Sequence, residues 1–122
     1  DAYNASPTSM KAAIDLISSL NNYEQKIVVL ADVLELGDLE VAYHQEIGKY
    51  VNPDQIDYVF TFGNLGAEIA KGALHKFSKE KVKAYDEKEM LAKELKPLLD
   101  DKTVVLFKGS RGMRLEEVLQ KL

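Results

Sequence analysis

Three short runs constrain this chain more than any other feature. Residues 26–31 (KIVVLA), 57–62 (DYVFTF) and 103–107 (TVVLF) are nearly continuous in apolar residues, many of them β-branched or aromatic. A strand with one wet face alternates apolar and polar side chains, whereas a strand covered on both faces has no polar side to show, so these runs are expected to be doubly buried strands. Residues 82–85 are a weaker fourth candidate, and residues 1–3 read as the tail of a fifth. Amphipathic stretches separate the runs. Pro7 stands at a first helical position behind Ser6, and Met10, Ala13, Ile14, Ile17 and Leu20 make one apolar stripe. Asp38 is placed to cap a second helix ending near residue 51, before Asn52-Pro53. A third is expected to follow Gly63 and run to about residue 77, and a fourth over roughly 87–99 with Pro97 disturbing its last turn. A fifth begins near Gly112, with Leu115, Val118, Leu119 and Leu122 as its stripe. Strand–helix alternation of this kind implies right-handed crossovers. The expected fold is α/β, three-layer and Rossmann-like, with a mostly parallel sheet and helices on both faces.

Composition narrows the function classes. The chain has 122 residues, 46% of them hydrophobic, which suits one domain with one core. Its 16 basic and 20 acidic residues are mixed to a net charge of −4, and the block 76–83 (KFSKEKVK) is too dilute to form a nucleic-acid footprint. Cysteine is absent, so thiol chemistry and disulfides are excluded. No apolar run has the length of a membrane span. The chain opens on Asp1-Ala2-Tyr3-Asn4 without an initiator Met and is expected to be part of a longer polypeptide.

In a parallel sheet, ligands gather where strands end and loops lead into helices. Three segments with suitable chemistry fall at such positions. Residues 1–10 (DAYNASPTSM) offer Asp1 as an acceptor for sugar hydroxyls and short polar groups at Asn4, Ser6 and Ser9; the same residues also suit a plain turn and helix start. Residues 31–37 (ADVLELG) place Asp32 and Glu35 after the best strand. These carboxylates suit an amine, a metal-bound water or an Arg, or else a turn and a solvated charge. His44 follows alone, without a second ligand at metal-binding spacing. Residues 108–114 (KGSRGMR) combine two close-approach glycines with Ser110 and Arg111, a group able to grip a carboxylate or phosphate bidentately. No GxxxxGK[ST] phosphate loop, GxGxxG or nucleophile–base set is present. The inventory is one of binding groups without a catalytic set.

Four strings, in order, resemble the C-terminal domain of the Mur ligases over essentially the whole chain. They are Asp1-Ala2-Tyr3-Asn4-Ala5-Ser6-Pro7 with Ser9-Met10; Asp32-Val33-Leu34-Glu35-Leu36-Gly37 with His44 and Gly48; Phe62-Gly63; and Lys108-Gly109-Ser110-Arg111-Gly112-Met113. The first and last strings are most similar to the member that joins D-alanyl-D-alanine to UDP-N-acetylmuramoyl-tripeptide in peptidoglycan synthesis. The resemblance implies a three-domain bacterial cytoplasmic enzyme, acting as a monomer without nucleic acid or membrane insertion. An N-terminal domain would bind the UDP-sugar peptide and a central domain would hold ATP and Mg²⁺. This domain would span residues 1–122, close over both, and be inactive alone. ATP would phosphorylate the peptide carboxylate, and the incoming amine would attack the acyl phosphate. By the same resemblance, Asp1 contacts the ribose, and Tyr3 and Asn4 line the nucleotide cleft. Asp32 and Glu35 face the cleft, while Ser110 and Arg111 hold the D-alanyl-D-alanine carboxylate. It implies no catalytic residue and no metal ligand within the chain. A stand-alone Rossmann-like module that binds a nucleotide or a protein is the alternative.

Overall fold

The computed structural model describes residues 5–122. The apolar runs become four parallel strands: β1 (Gln25–Ala31), β2 (Tyr58–Phe62), β3 (Val82–Tyr85) and β4 (Thr103–Lys108). They lie in the order β3-β2-β1-β4, with Val28 opposite Val59 on one side and Leu106 on the other. Burial explains the sequence pattern of β1, which is inaccessible from Ile27 to Ala31. Its alternate side chains serve two cores. Val28 and Leu30 meet α1 (Pro7–Ser18), α2 (Glu40–Tyr50) and α3 (Gly66–Ala73) through Met10, Ile14, Ile17, Ile47 and Ile69. Ile27, Val29 and Ala31 meet α4 (Lys88–Leu95) and α5 (Glu116–Leu119) through Leu91, Leu95 and Val118. The three-layer α/β expectation holds.

Helix boundaries follow local backbone chemistry, and several depart from expectation. α1 starts as expected: the Ser9 amide donates to Ser6 Oγ at 3.1 Å and the Ser6 amide to Ser9 Oγ at 2.8 Å, a reciprocal cap ahead of Pro7. Asp38 is not an N-cap. Gly37, at φ 75, turns the chain directly into a 3-10 turn (Gly37–Leu39), and Asp38 lies inside it, where its charge still favours the helix start. α3 follows Gly63 as expected, the Gly63 carbonyl accepting the Ala67 amide at 3.0 Å, but it stops at Ala73 rather than near residue 77. α4 ends at Leu95 and passes into a 3-10 turn (Lys96–Leu98) containing Pro97, which has no amide to donate. α5 begins at Glu116 rather than near Gly112, because Arg114 at φ 52 separates it from a 3-10 turn (Arg111–Met113). Leu119 is exposed, so Leu115, Val118 and Leu122 alone form the inner stripe. The expected strand at residues 1–3 lies outside the described residues.

α2 and α3 cross almost backbone to backbone. A Cβ on Gly48 would overlap the Ile69 carbonyl oxygen, and one on Gly72 would overlap the Gln45 carbonyl oxygen. These contacts are with main chain and cannot be relieved by a rotamer change. Gln45 Nε2 adds a hydrogen bond to Glu68 Oε1 at 2.8 Å across the same crossing. On the other face, Lys88 Nζ lies 2.7 Å from Glu117 Oε1, joining α4 to α5 and holding the Glu117 carboxyl below the usual carboxylate range.

Two outcomes follow. Gly48→Ala and Gly72→Ala should each lower stability by about 3 kcal/mol in urea denaturation, the upper part of the range for overpacking. Gly37→Ala, which meets nothing within 4 Å, should cost only the left-handed backbone penalty of about 1 kcal/mol. Because the folded Glu117 pKa is depressed, the contribution of its pair is present above the unfolded carboxylate pKa and is lost as pH falls through the folded value. Carbon-detected NMR titration should therefore show the Glu117 midpoint moving upward in Lys88→Met.

Candidate functional site

Strand order places the site before any side chain is considered. From β1 the chain moves through α2 toward β2 and β3, whereas β4 lies on the opposite side of β1 and feeds α5 on the other face. The loops leaving β1 and β4 therefore lead to helices on opposite faces, which makes the carboxyl ends of these neighbouring strands the switch point where ligands of such sheets bind. The residues at that switch point are 32–36 and 109–113, which include two of the three segments singled out from sequence.

The two loops are stitched to each other and to their surroundings. Asp32 is only 7% exposed, and its Oδ1 accepts the Gly66 amide at 2.7 Å. That amide opens α3 and has no partner within its own helix, so the buried carboxylate is met by an N–H at the positive end of the helix. Gly63 makes room for it, since a Cβ there would strike the Asp32 carboxylate and the Met113 methyl. The Asp32 carbonyl accepts the Ser110 amide at 2.9 Å. Ser110 Oγ in turn accepts the Leu34 amide at 2.8 Å. Gly109 packs flat on Ala31, where a side chain would collide with the alanine Cβ.

His44 completes the arrangement from α2. It is fully buried, its Nε2 accepts the Val33 amide at 2.8 Å, and its Nδ1 lies 2.6 Å from the Glu40 carbonyl oxygen. A carbonyl only accepts, so Nδ1 carries the proton and Nε2 offers its lone pair. Both ring nitrogens are committed to the backbone. Among the described residues no group of three or more His, Cys, Asp or Glu could hold a metal ion.

The remaining groups face outward. Glu35 is exposed at φ 65, a conformation that disfavours a side chain of its kind, and Arg111 is exposed at the start of its 3-10 turn. Leu34, immediately before Glu35, is 37% exposed and reaches across to Gly112, where a Cβ would lie 3.2 Å from its Cδ1. The structure thus places Asp32, Glu35, Ser110 and Arg111 on two adjoining strand-end loops and divides them into a buried pair and an exposed pair. Asp1, Tyr3 and Asn4 lie outside the described residues. Sequence reasoning missed the joint roles of His44, Gly63 and Met113. In the sequence His44 shows only as a lone imidazole, and Gly63 only as part of a helix entry suited to its backbone geometry.

Comparison with known proteins agrees with this geometry. Residues 1–111 match the family model described as Mur ligase, glutamate ligase domain. The chain is 55% identical over all 122 residues to the UDP-N-acetylmuramoyl-tripeptide–D-alanyl-D-alanine ligase of Bacillus subtilis, covering 27% of that protein. It is 34% identical to the ligase of the same name from Haemophilus influenzae, covering the whole of this chain and 26% of the relative. Among solved structures it is similar to the MurF ligase from Thermotoga maritima in complex with ADP, at 32% identity and a TM-score of 0.79, covering 98% of this chain and 26% of that one. The chain spans about a quarter of the length of these relatives. With the matching family model, parallel sheet and strand-end loops together, the chain belongs to the Mur ligase family, in its glutamate ligase domain.

Proposed function

We propose that this chain is the C-terminal domain of a three-domain ligase that uses ATP to join D-alanyl-D-alanine to UDP-N-acetylmuramoyl-tripeptide. The observation that carries the reading is the 55% identity to the Bacillus subtilis ligase over all 122 residues. Binding groups without a phosphate loop suit a domain that closes over a nucleotide held elsewhere. The described residues offer no cluster for Mg²⁺, so that ion belongs with the central domain in this reading. No described helix is long and apolar enough to cross a membrane. In this reading the full-length ligase acts as a monomer in the bacterial cytoplasm.

Within this proposal the exposed pair meets the incoming dipeptide. The Arg111 guanidinium suits its carboxylate bidentately, and the Glu35 carboxylate suits its amino end. Asp1, Tyr3 and Asn4 belong to the nucleotide side of the same cleft. An activated acyl group must be kept from water, and closure of a rigid domain with prearranged loops excludes water while presenting the amine.

In the full-length ligase, Arg111→Ala should raise KM for D-alanyl-D-alanine by about tenfold or more, the loss expected for a charge-assisted hydrogen bond, with KM for the UDP-tripeptide unchanged. An unchanged dipeptide KM sinks the assignment. The 122-residue chain alone should show no ATP turnover in a phosphate-release assay. Glu35→Gly should raise the thermal midpoint, because it removes a left-handed penalty of about 1 kcal/mol, yet should lower ligase turnover. Unimpaired turnover would mean that the Glu35 side chain plays no part.

A further inference from the structure

The groups proposed to meet the substrate are each one residue away from a backbone amide that the facing loop holds by a hydrogen bond. Glu35 follows Leu34, whose amide is held by Ser110 Oγ at 2.8 Å. Arg111 follows Ser110, whose amide is held by the Asp32 carbonyl at 2.9 Å. Val33, between them in the network, is held by His44 Nε2 at 2.8 Å, and Asp32 itself is anchored through Oδ1 to the Gly66 amide at 2.7 Å. Three successive backbone units are thus fixed from α2, from α3 and from the loop after β4. Asp32, His44 and Ser110 are at most 7% exposed, so they have little surface with which to touch a substrate. A loop that needed only to connect β1 to α2 would not require anchors on three different elements.

We propose that Asp32, His44 and Ser110 are positioning residues that fix the backbone from which Glu35 and Arg111 reach the incoming dipeptide. The proposal rests on the preceding reading that these strand-end loops receive the incoming dipeptide. Asp32 serves in it as a hydrogen-bond acceptor for the α3 amide, and its charge does not act on the substrate. A misplacement of about 1 Å in such a constellation can cost up to about a hundredfold in rate, which makes the anchors worth keeping.

Asp32→Asn retains an acceptor oxygen for the Gly66 amide but removes the charge, whereas Asp32→Ala removes both. In the full-length ligase, Asp32→Ala should raise KM for D-alanyl-D-alanine about tenfold with little change in KM for the UDP-tripeptide, and Asp32→Asn should return it to within about threefold of the parent. An Asn variant as impaired as Ala would show that the charge itself meets the substrate, overturning the proposal. A lowered thermal midpoint with an unchanged dipeptide KM in both variants would reduce Asp32 to a purely structural role and overturn it equally. Should Asp32→Ala fail to fold, Ser110→Ala serves instead, with amide exchange measured on the 122-residue chain. Exchange at Leu34 should accelerate about tenfold, and in the full-length ligase the dipeptide KM should rise in step. Unchanged Leu34 exchange, or faster exchange without a change in KM, would overturn the proposal. The exchange measurement needs no substrate, so failure of the anchor is separable from failure of the ligase reading, which the Arg111→Ala result decides.

Discussion

A carboxylate buried at the end of the central strand must find a strong donor, and the solution adopted here organises the whole carboxyl end of the sheet. Asp32 meets the Gly66 amide at 2.7 Å, which couples the exit from β1 to the start of α3. A hydrogen bond to a charged acceptor contributes about 1.5–3 kcal/mol, and losing its partner leaves a buried charge uncompensated, at greater cost. That asymmetry makes the link hard to vary. Gly63 must stay bare to admit the carboxylate, and Met113 must pack beside it. The loop after β4 must come near enough for Ser110 to bond the Asp32 carbonyl. One buried charge thereby sets the path of three connections.

The same logic of close approach recurs at a distance from the site. The crossing of α2 and α3 depends on Gly48 and Gly72, each lying against the partner helix's carbonyl oxygen. That crossing seats α2 deeply enough for His44 to reach the Val33 amide. It also fixes the start of α3, whose first amide Asp32 accepts. Packing between helices and precision at the strand ends are therefore linked through rigid elements. A side chain forced between the helices would shift both anchors at once, so these glycines connect stability to the placement of exposed groups that they never touch.

How much of this was legible follows from what leaves a trace in a single sequence. Burial on both faces leaves a run without polar positions, and so β1, β2 and β4 could be read within a residue or two of their ends. Ser6 before Pro7 left a local cap signature, because its partner Ser9 is three residues away. The anchor between Asp32 and Gly66 spans 34 positions and ends on a backbone amide, which has no residue type to recognise. His44 could be seen but not interpreted, since a single imidazole bound to main chain has the same sequence appearance as an exposed one. The start of α5 failed where a left-handed residue intervened: Arg114 at φ 52 moved it, and an arginine does not announce its dihedral angle. The candidate site was legible as a set of loops but not as a division of labour within them.

That division is where Glu35 becomes informative. The loop contains two left-handed positions, Glu35 at φ 65 and Gly37 at φ 75. At Gly37 the surrounding space is empty, so glycine serves the backbone alone. At Glu35 the same backbone demand is met by a charged, exposed residue, at a cost of about 1–2 kcal/mol that glycine would not incur. A turn selected for stability alone would place glycine at both positions. The neighbouring units at Val33 and Leu34 are fixed by buried anchors, so the strained residue does not relax into a cheaper conformation. Strain held by rigid neighbours, with its side chain in solvent, sets Glu35 apart from the turn residues around it. The buried carboxylate and the exposed one, three positions apart in a single short segment, thus differ in kind: Asp32 ties the strand-end loops to α3, and Glu35 is the group that the proposed function assigns to the dipeptide.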